Sequence, residues 1–233
     1  MRYLGFLALL ELLVIPASAH AACTAPAGAE GTILYNGDFH VMQYCDGTQW
    51  QGMSGGGTAS GGMVQIATQT ASNSATLDFT NLPTSYNTLV LNCSGLRPAT
   101  SNTGLELQFG QGATPTWQTS NYKWAVSGSY DSGTSPTATG STSSAYIALV
   151  QNGELLNTAT QNLVLTAHLY NLPSSTLRKM ANYQFAYLDS GGNLNQLTGA
   201  GTYTGNTNPV TAVRILAISG NITSGSCTLS GMN

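Results

Sequence analysis

The chain carries very little charge. Only 6% of its 233 residues are Asp, Glu, Lys or Arg, against about a quarter in ordinary soluble domains. Nothing resembles the clustered Lys and Arg that neutralise a phosphate backbone, which argues against nucleic acid as a partner. No apolar run reaches the roughly 20 residues of a spanning helix, so no transmembrane segment is expected. There is no C-x-x-C pair, and the three histidines do not cluster near the cysteines; no metal and no other cofactor is expected. Gly-x-Ser-x-Gly is missing, as are heptads and collagen-like repeats that would enforce a multimer.

What is present begins with an export signal. Arg2 precedes the apolar run Leu4 to Ile15, then Pro16 and the small residues Ala17, Ser18 and Ala19. Residues 1–21 therefore read as a secretory signal peptide, and the mature protein as secreted or displayed at the cell surface. Removing Arg2 and Glu11 from six cations and nine acids leaves five and eight, so the net charge stays at −3. Polarity comes instead from Ser, Thr, Asn, Gln and Gly. Uncharged β-rich chains aggregate through open sheet edges, so covered edges or neighbouring subunits are expected.

Cys23, Cys45, Cys93 and Cys227 all lie in the exported part, and an even count there reads as two disulfides. Three pairings are open. Cys23 with Cys45 is the local choice, which leaves Cys93 with Cys227 to tie an early strand to the last one. His20-Ala21-Ala22-Cys23 partly matches a lipoprotein cleavage box, but lacks the usual aliphatic residue three before the cysteine. Lipid anchoring at Cys23 would leave Cys45 unpaired, so the disulfide is the preferred reading.

Residues 22–53 read as a small disulfide-closed β-hairpin module: a strand 31–35, a turn at Asn36-Gly37-Asp38 and a return strand 41–45. Asp38 and Asp46 sit where carboxylates bond the local turn backbone, so they and His40 are not read as metal ligands. Residues 54–62 form a Gly/Ser-rich linker. From 63 to 233, apolar segments recur at 63–68, 75–79, 87–93, 104–110, 122–126, 145–150, 162–170, 182–188, 211–218 and 226–232. The fold class is therefore all-β, a jelly-roll-like two-sheet sandwich. Alternation predicts Leu105, Leu107 and Phe109 in the core with Glu106 and Gln108 facing out, and a closing hairpin turned at Ser219-Gly220-Asn221.

Two resemblances follow from particular residues. Cys23, Glu30-Gly31, Tyr35-Asn36, Tyr44-Cys45-Asp46-Gly47-Thr48 and Trp50 together resemble a small cysteine-bracketed module of bacterial surface and phage-related proteins. Ala75-Thr76-Leu77-Asp78-Phe79, Tyr86, Leu89-Val90-Leu91, Leu96-Arg97-Pro98, Ser120-Asn121-Tyr122-Lys123-Trp124, Val213-Arg214-Ile215 and Ser219 to Gly225 are similar, in that order, to the C-terminal domain of tailed-phage tail or head fibre proteins. That resemblance spans 63–233 and implies homotrimers that recognise host glycans. Cys227, Ser230 and the signal peptide depart from the family pattern, and point to a related domain used outside the cell.

The five carboxylates of the second domain, Asp78, Glu106, Asp131, Glu154 and Asp189, form no catalytic motif, so no enzyme is expected and polysaccharide hydrolysis is the weakest reading. His168 reads as a sheet residue. Tyr122 and Trp124 share a face with Val126 and belong to packing. Trp117 after Pro115 and Tyr130 before Asp131 read as loop aromatics, and with Asn121 and Asp131 they make the candidate glycan site. The expected partner is a cell-surface or environmental polysaccharide; the rival reading is a structural subunit of a surface layer or appendage.

Overall fold

A computed structural model describes residues 22–38, 40–53, 62–131, 137–160, 163–189 and 192–232. The expected signal peptide and all of the linker but Gly62 lie outside the described residues. Two compact units, Met1–Ser60 and Gly61–Asn233, divide within that linker. Among the described residues every regular element is a strand, and no helix is long and apolar enough to cross a membrane.

In the first unit, β1 (Ala22–Thr24) pairs with β2 (Ala27–Ala29), while β3 (Ile33–Asn36), β4 (Val41–Cys45) and β5 (Trp50–Gly52) form a three-stranded sheet in that order. So short a segment buries too little apolar surface to fold unaided, and the Cys23–Cys45 disulfide supplies the cross-link. Trp50 Nε1 donates to Pro26 O at 2.8 Å, tying β5 to the β1–β2 connection. The Asp46 carboxylate accepts from the Gln51 amide and from the Gln49 and Thr48 backbone N–H groups. Those donors, the Gln51 amide foremost, hold it well below the usual carboxylate range. The expected strands pair across the Asn-Gly turn, with Asn36 opposite Val41, so β3 runs one residue further than expected. Ile33, Tyr35, Met42 and Tyr44 share one face of this sheet and are exposed.

In chain order the second unit contains β6 (Met63–Thr70), β7 (Thr76–Thr80), β8 (Thr88–Pro98), β9 (Thr103–Gln111), β10 (Thr116–Trp117), β11 (Tyr122–Tyr130), β12 (Thr137–Ser144), β13 (Ile147–Leu155), β14 (Leu163–Tyr170), β15 (Lys179–Leu188), β16 (Leu194–Tyr203), β17 (Val210–Ala217) and β18 (Ile222–Met232). Eight of them form a large antiparallel sheet, β12-β11-β16-β15-β14-β8-β18-β6. The other five form the smaller sheet β7-β17-β9, with β10 and β13 both pairing β9.

The core lies between the sheets and follows strand alternation. Leu165, Ala167 and Leu169 of β14, with Ala181, Tyr183, Phe185 and Tyr187 of β15, face Leu105, Leu107 and Phe109 of β9 and Val213 and Ile215 of β17, all buried. Tyr183 lies so close over Gly199 that a Cβ there would meet its ring at 2.4 Å. Its hydroxyl reaches across to donate to Ala148 O at 2.6 Å. The Cys93–Cys227 disulfide joins directly paired residues of β8 and β18 inside this core. Lys179 is fully buried at the start of β15, and its ammonium donates to Ser174 O, Leu177 O and Thr207 O.

Three expectations are corrected. The last two strands are not a hairpin: β17 pairs β7 and β9 in one sheet, whereas β18 pairs β6 and β8 in the other. Residues 218 to 221 are a sheet-to-sheet crossing, held by Ser219 N–H on Thr103 Oγ1 and Ala99 N–H on Asn221 O. Glu106 and Gln108 point away from the core but are buried, each 7% exposed. The chain entering β13 covers them: Gln108 Nε2 donates to Ala145 O at 3.4 Å, and Tyr146 lies within electrostatic reach of the Glu106 carboxyl. Finally β10, β12 and β16 escaped the apolar pattern: β10 is only two residues long, β12 is made of Thr, Ser, Gly and Ala, and β16 interrupts its apolar residues with Asn, Gln, Thr and Gly.

Candidate functional site

The outer face of the large sheet is a surface of neutral polar side chains in register. Across its strands one transverse row reads Ala138, Ser127, Thr198, Gln184, Thr166, Asn92, Thr228 and Thr68, each directly paired with the next. The row on one side runs Ser129, Gln196, Ala186, Val164, Ser94, Ser226 and Thr70. The row on the other side runs Gly140, Ala125, Ala200, Asn182, His168, Val90, Ser230 and Gln65. No Asp, Glu, Lys or Arg occurs in the three rows.

Four adjoining clefts lie on this face. One of about 330 Å³ is lined by Asn92, Val164, Thr166, Gln184, Ala186 and Gln196. A second, of about 360 Å³, adds His168, Asn182 and Thr198. Two shallower ones continue over Ala125, Ser127, Ser129, Ala138 and Gly140. Together they cross six strands, about 24 Å at roughly 4.8 Å per strand. Side chains along the floor are partly pre-ordered. Thr166 Oγ1 donates to Asn92 Oδ1 at 2.9 Å, and Thr68 and Thr228 share a bond at 2.9 Å. His168 is a sheet residue, as expected, and its ring stacks on Tyr170 with centroids 6.3 Å apart.

The four residues expected to bind ligand are not brought together. Trp117 is a strand residue of β10, on the outer face of the small sheet, packed over Gly110 where a Cβ would meet its ring at 3.2 Å. The Arg214 guanidinium lies 3.9 Å from the Trp117 ring centroid and is bidentate on Asp78, at 2.8 and 2.7 Å. Asn121 sits at the start of β11, where its carbonyl accepts from Thr204. Tyr130 is the last residue of β11, not a loop residue, and shares the inward face of Tyr122, Trp124 and Val126, packed against the core. Asp131 follows it, with its N–H on Leu194 O. β11 has nine residues, so the Trp117–Asn121 end and the Tyr130–Asp131 end stand about 27 Å apart.

The carboxylates are equally dispersed. Asp78 is held by Arg214, Glu154 accepts from the Tyr187 hydroxyl, and Asp189 binds the N–H and amide of Asn193. Glu106 stands apart on the small sheet, where burial pushes its carboxyl up to about 7. None of the five lines the four clefts of the outer face. Sequence reasoning passed over the outer face because it sought aromatics. The usable signal was the content of the exposed positions: Thr166 and His168, Asn182 and Gln184, Gln196 and Thr198 are amides, hydroxyls or imidazole where ordinary strands carry Lys and Glu.

No protein-family model matches the chain, and neither curated proteins nor solved structures give a significant match.

Proposed function

We propose that the chain is a secreted or surface-displayed glycan-recognition module that binds through the outer face of its eight-stranded sheet. The observation that carries this reading is the run of clefts lined by uncharged amides and hydroxyls. Each Asn or Gln side chain offers donors and an acceptor, and each Ser or Thr hydroxyl offers both, which is the complement a sugar hydroxyl needs. Val164, Ala186 and Ala200 supply small apolar patches for the CH faces of a ring. Two disulfides and the N-terminal apolar segment favour an oxidising location. The sequence resemblance to phage fibre C-terminal domains points to recognition of the same kind.

Carboxylates scattered over both sheets, none of them lining the clefts, favour binding over hydrolysis. The test is binding of the mature, oxidised protein to an array of bacterial and environmental polysaccharides, alongside a Thr166→Ala/Gln184→Ala variant. Selective binding that the variant loses supports the reading. Binding equal in both proteins removes the outer face from it.

A structural role is the second reading, favoured by one observation. The edge strands of the large sheet, β6 and β12, contain no charged residue and no proline, so they lack the usual devices that stop edge-to-edge pairing. A concentration-dependent mass in solution, with no glycan bound, selects it.

A further inference from the structure

The outer face also carries information about which glycans it accepts and how they lie. We infer that it binds internal stretches of an uncharged polysaccharide laid across the strands, rather than anionic glycans or chain ends. This rests on the glycan-recognition reading above and narrows it.

Charge decides the class. Across three consecutive registers the face holds no Lys or Arg. A uronate, sulfate or phosphate placed there would lose water and gain no cation, and burying an unpaired charge is costly. Amides and hydroxyls, by contrast, replace the hydration of neutral hydroxyls nearly one for one. Among the cleft residues the titratable side chains are His168 and Tyr183, whose hydroxyl is turned inward onto Ala148 O, and Lys123 lies outside them, in the register of Thr202 and Met180.

The shape decides the mode. The central row continues in register past the clefts, over Thr228 to Thr68 on the edge strand β6, and on the other side to Ala138 on the edge strand β12. Within the second unit, Thr68 and Ala138 at the two ends of the row are exposed, so a polymer can enter and leave over both edges. A recognition site for a chain terminus needs a closed pocket with one strongly fixed ring. Here the polar groups repeat strand after strand, so affinity accumulates with the number of sugar units contacted.

The experiment uses the mature, oxidised protein with three sets of probes. Neutral polysaccharides (a dextran, a galactomannan, a xylan) are compared with anionic ones (alginate, polygalacturonate, heparin), at low salt and at about 1 M salt, where the screening length is only about 3 Å. Oligosaccharides of increasing length from the best neutral binder form the third set, with its monosaccharide as competitor. Expected is retention by a neutral polymer, unchanged within about twofold by salt, with affinity rising at least about tenfold from disaccharide to a chain that spans the face. Anionic polymers should not be retained. Salt-sensitive binding to an anionic polymer, or full competition by the monosaccharide, overturns this inference and leaves glycan recognition standing. No retention by any glycan overturns both. Loss of binding in Thr198→Glu, with Trp117→Ala unaffected, locates the neutral site on this face.

Discussion

Glu106→Gln should change how stability depends on pH. Glu106 is 7% exposed on β9, and burial raises its carboxyl from 4.5 to about 7. The unfolded chain releases this proton near the ordinary value, whereas the folded chain holds it until about 7. Between those values the folded state binds more protons than the unfolded state, so stability falls as pH rises through the window. The contribution is fully present below about 4.5 and lost above about 7. At about 1.4 kcal/mol for each tenfold change in proton affinity, the span from 4.5 to about 7 corresponds to about 3 kcal/mol. Glutamine keeps the shape and cannot ionise. Urea unfolding with disulfides intact should find wild type and Glu106→Gln similar near pH 4 and the variant about 3 kcal/mol more stable near pH 8. A difference between the two proteins that stays constant over that range refutes the burial of an uncompensated carboxyl.

Lys179→Met should destabilise the sandwich by about 3 kcal/mol, because three inward carbonyls of the loops around it lose a charged donor; chemical denaturation checks this. Arg214→Ala removes a bidentate ion pair and a ring contact whose side chains remain partly solvated, so a loss of only about 1–2 kcal/mol is expected by the same assay. Replacing Cys93 and Cys227 by Ala opens a loop of 134 residues and should cost about 5 kcal/mol on the chain-entropy model, read as a lower urea midpoint. Replacing Cys23 and Cys45 should instead unfold the first unit, seen as lost dispersion of its amide signals, while the sandwich signals stay in place. Trp117→Ala should leave glycan binding unchanged on the array, since Trp117 belongs to the other sheet.

Strand alternation made most of the architecture legible. Leu165, Ala167 and Leu169, or Val213 and Ile215, announce a buried face by period alone, and both disulfides follow from cysteine position and local pairing. The errors arose where the same local signal serves two topologies. Ser219-Gly220-Asn221 is a sound turn, but a turn between two alternating strands does not reveal whether they pair or pass to opposite sheets. Glu106 and Gln108 were expected in water because nothing local predicts that Ala145 and Tyr146, nearly forty residues on, fold over them. β12 and β16 were invisible because the inward positions of β12 include Thr139 and Ser141 and those of β16 include Gly199 and Gly201, kept small by Tyr183 and Ile147. The four candidate residues proved dispersed for a related reason. Trp117 and Tyr130 looked like a pair at close spacing, yet a nine-residue strand separates them and turns Tyr130 inward. The outer face could be read only once register placed Asn92, Thr166, Gln184 and Thr198 side by side from four different strands.

The central claim is tested most directly by mapping a bound glycan onto backbone amide signals of the mature protein, using the best binder from the array. The account predicts that shifts concentrate at Asn92, Thr166, His168, Asn182, Gln184, Gln196 and Thr198. Shifts concentrated instead around Trp117 and Arg214, or on Tyr35 and Tyr44 of the first unit, would contradict it.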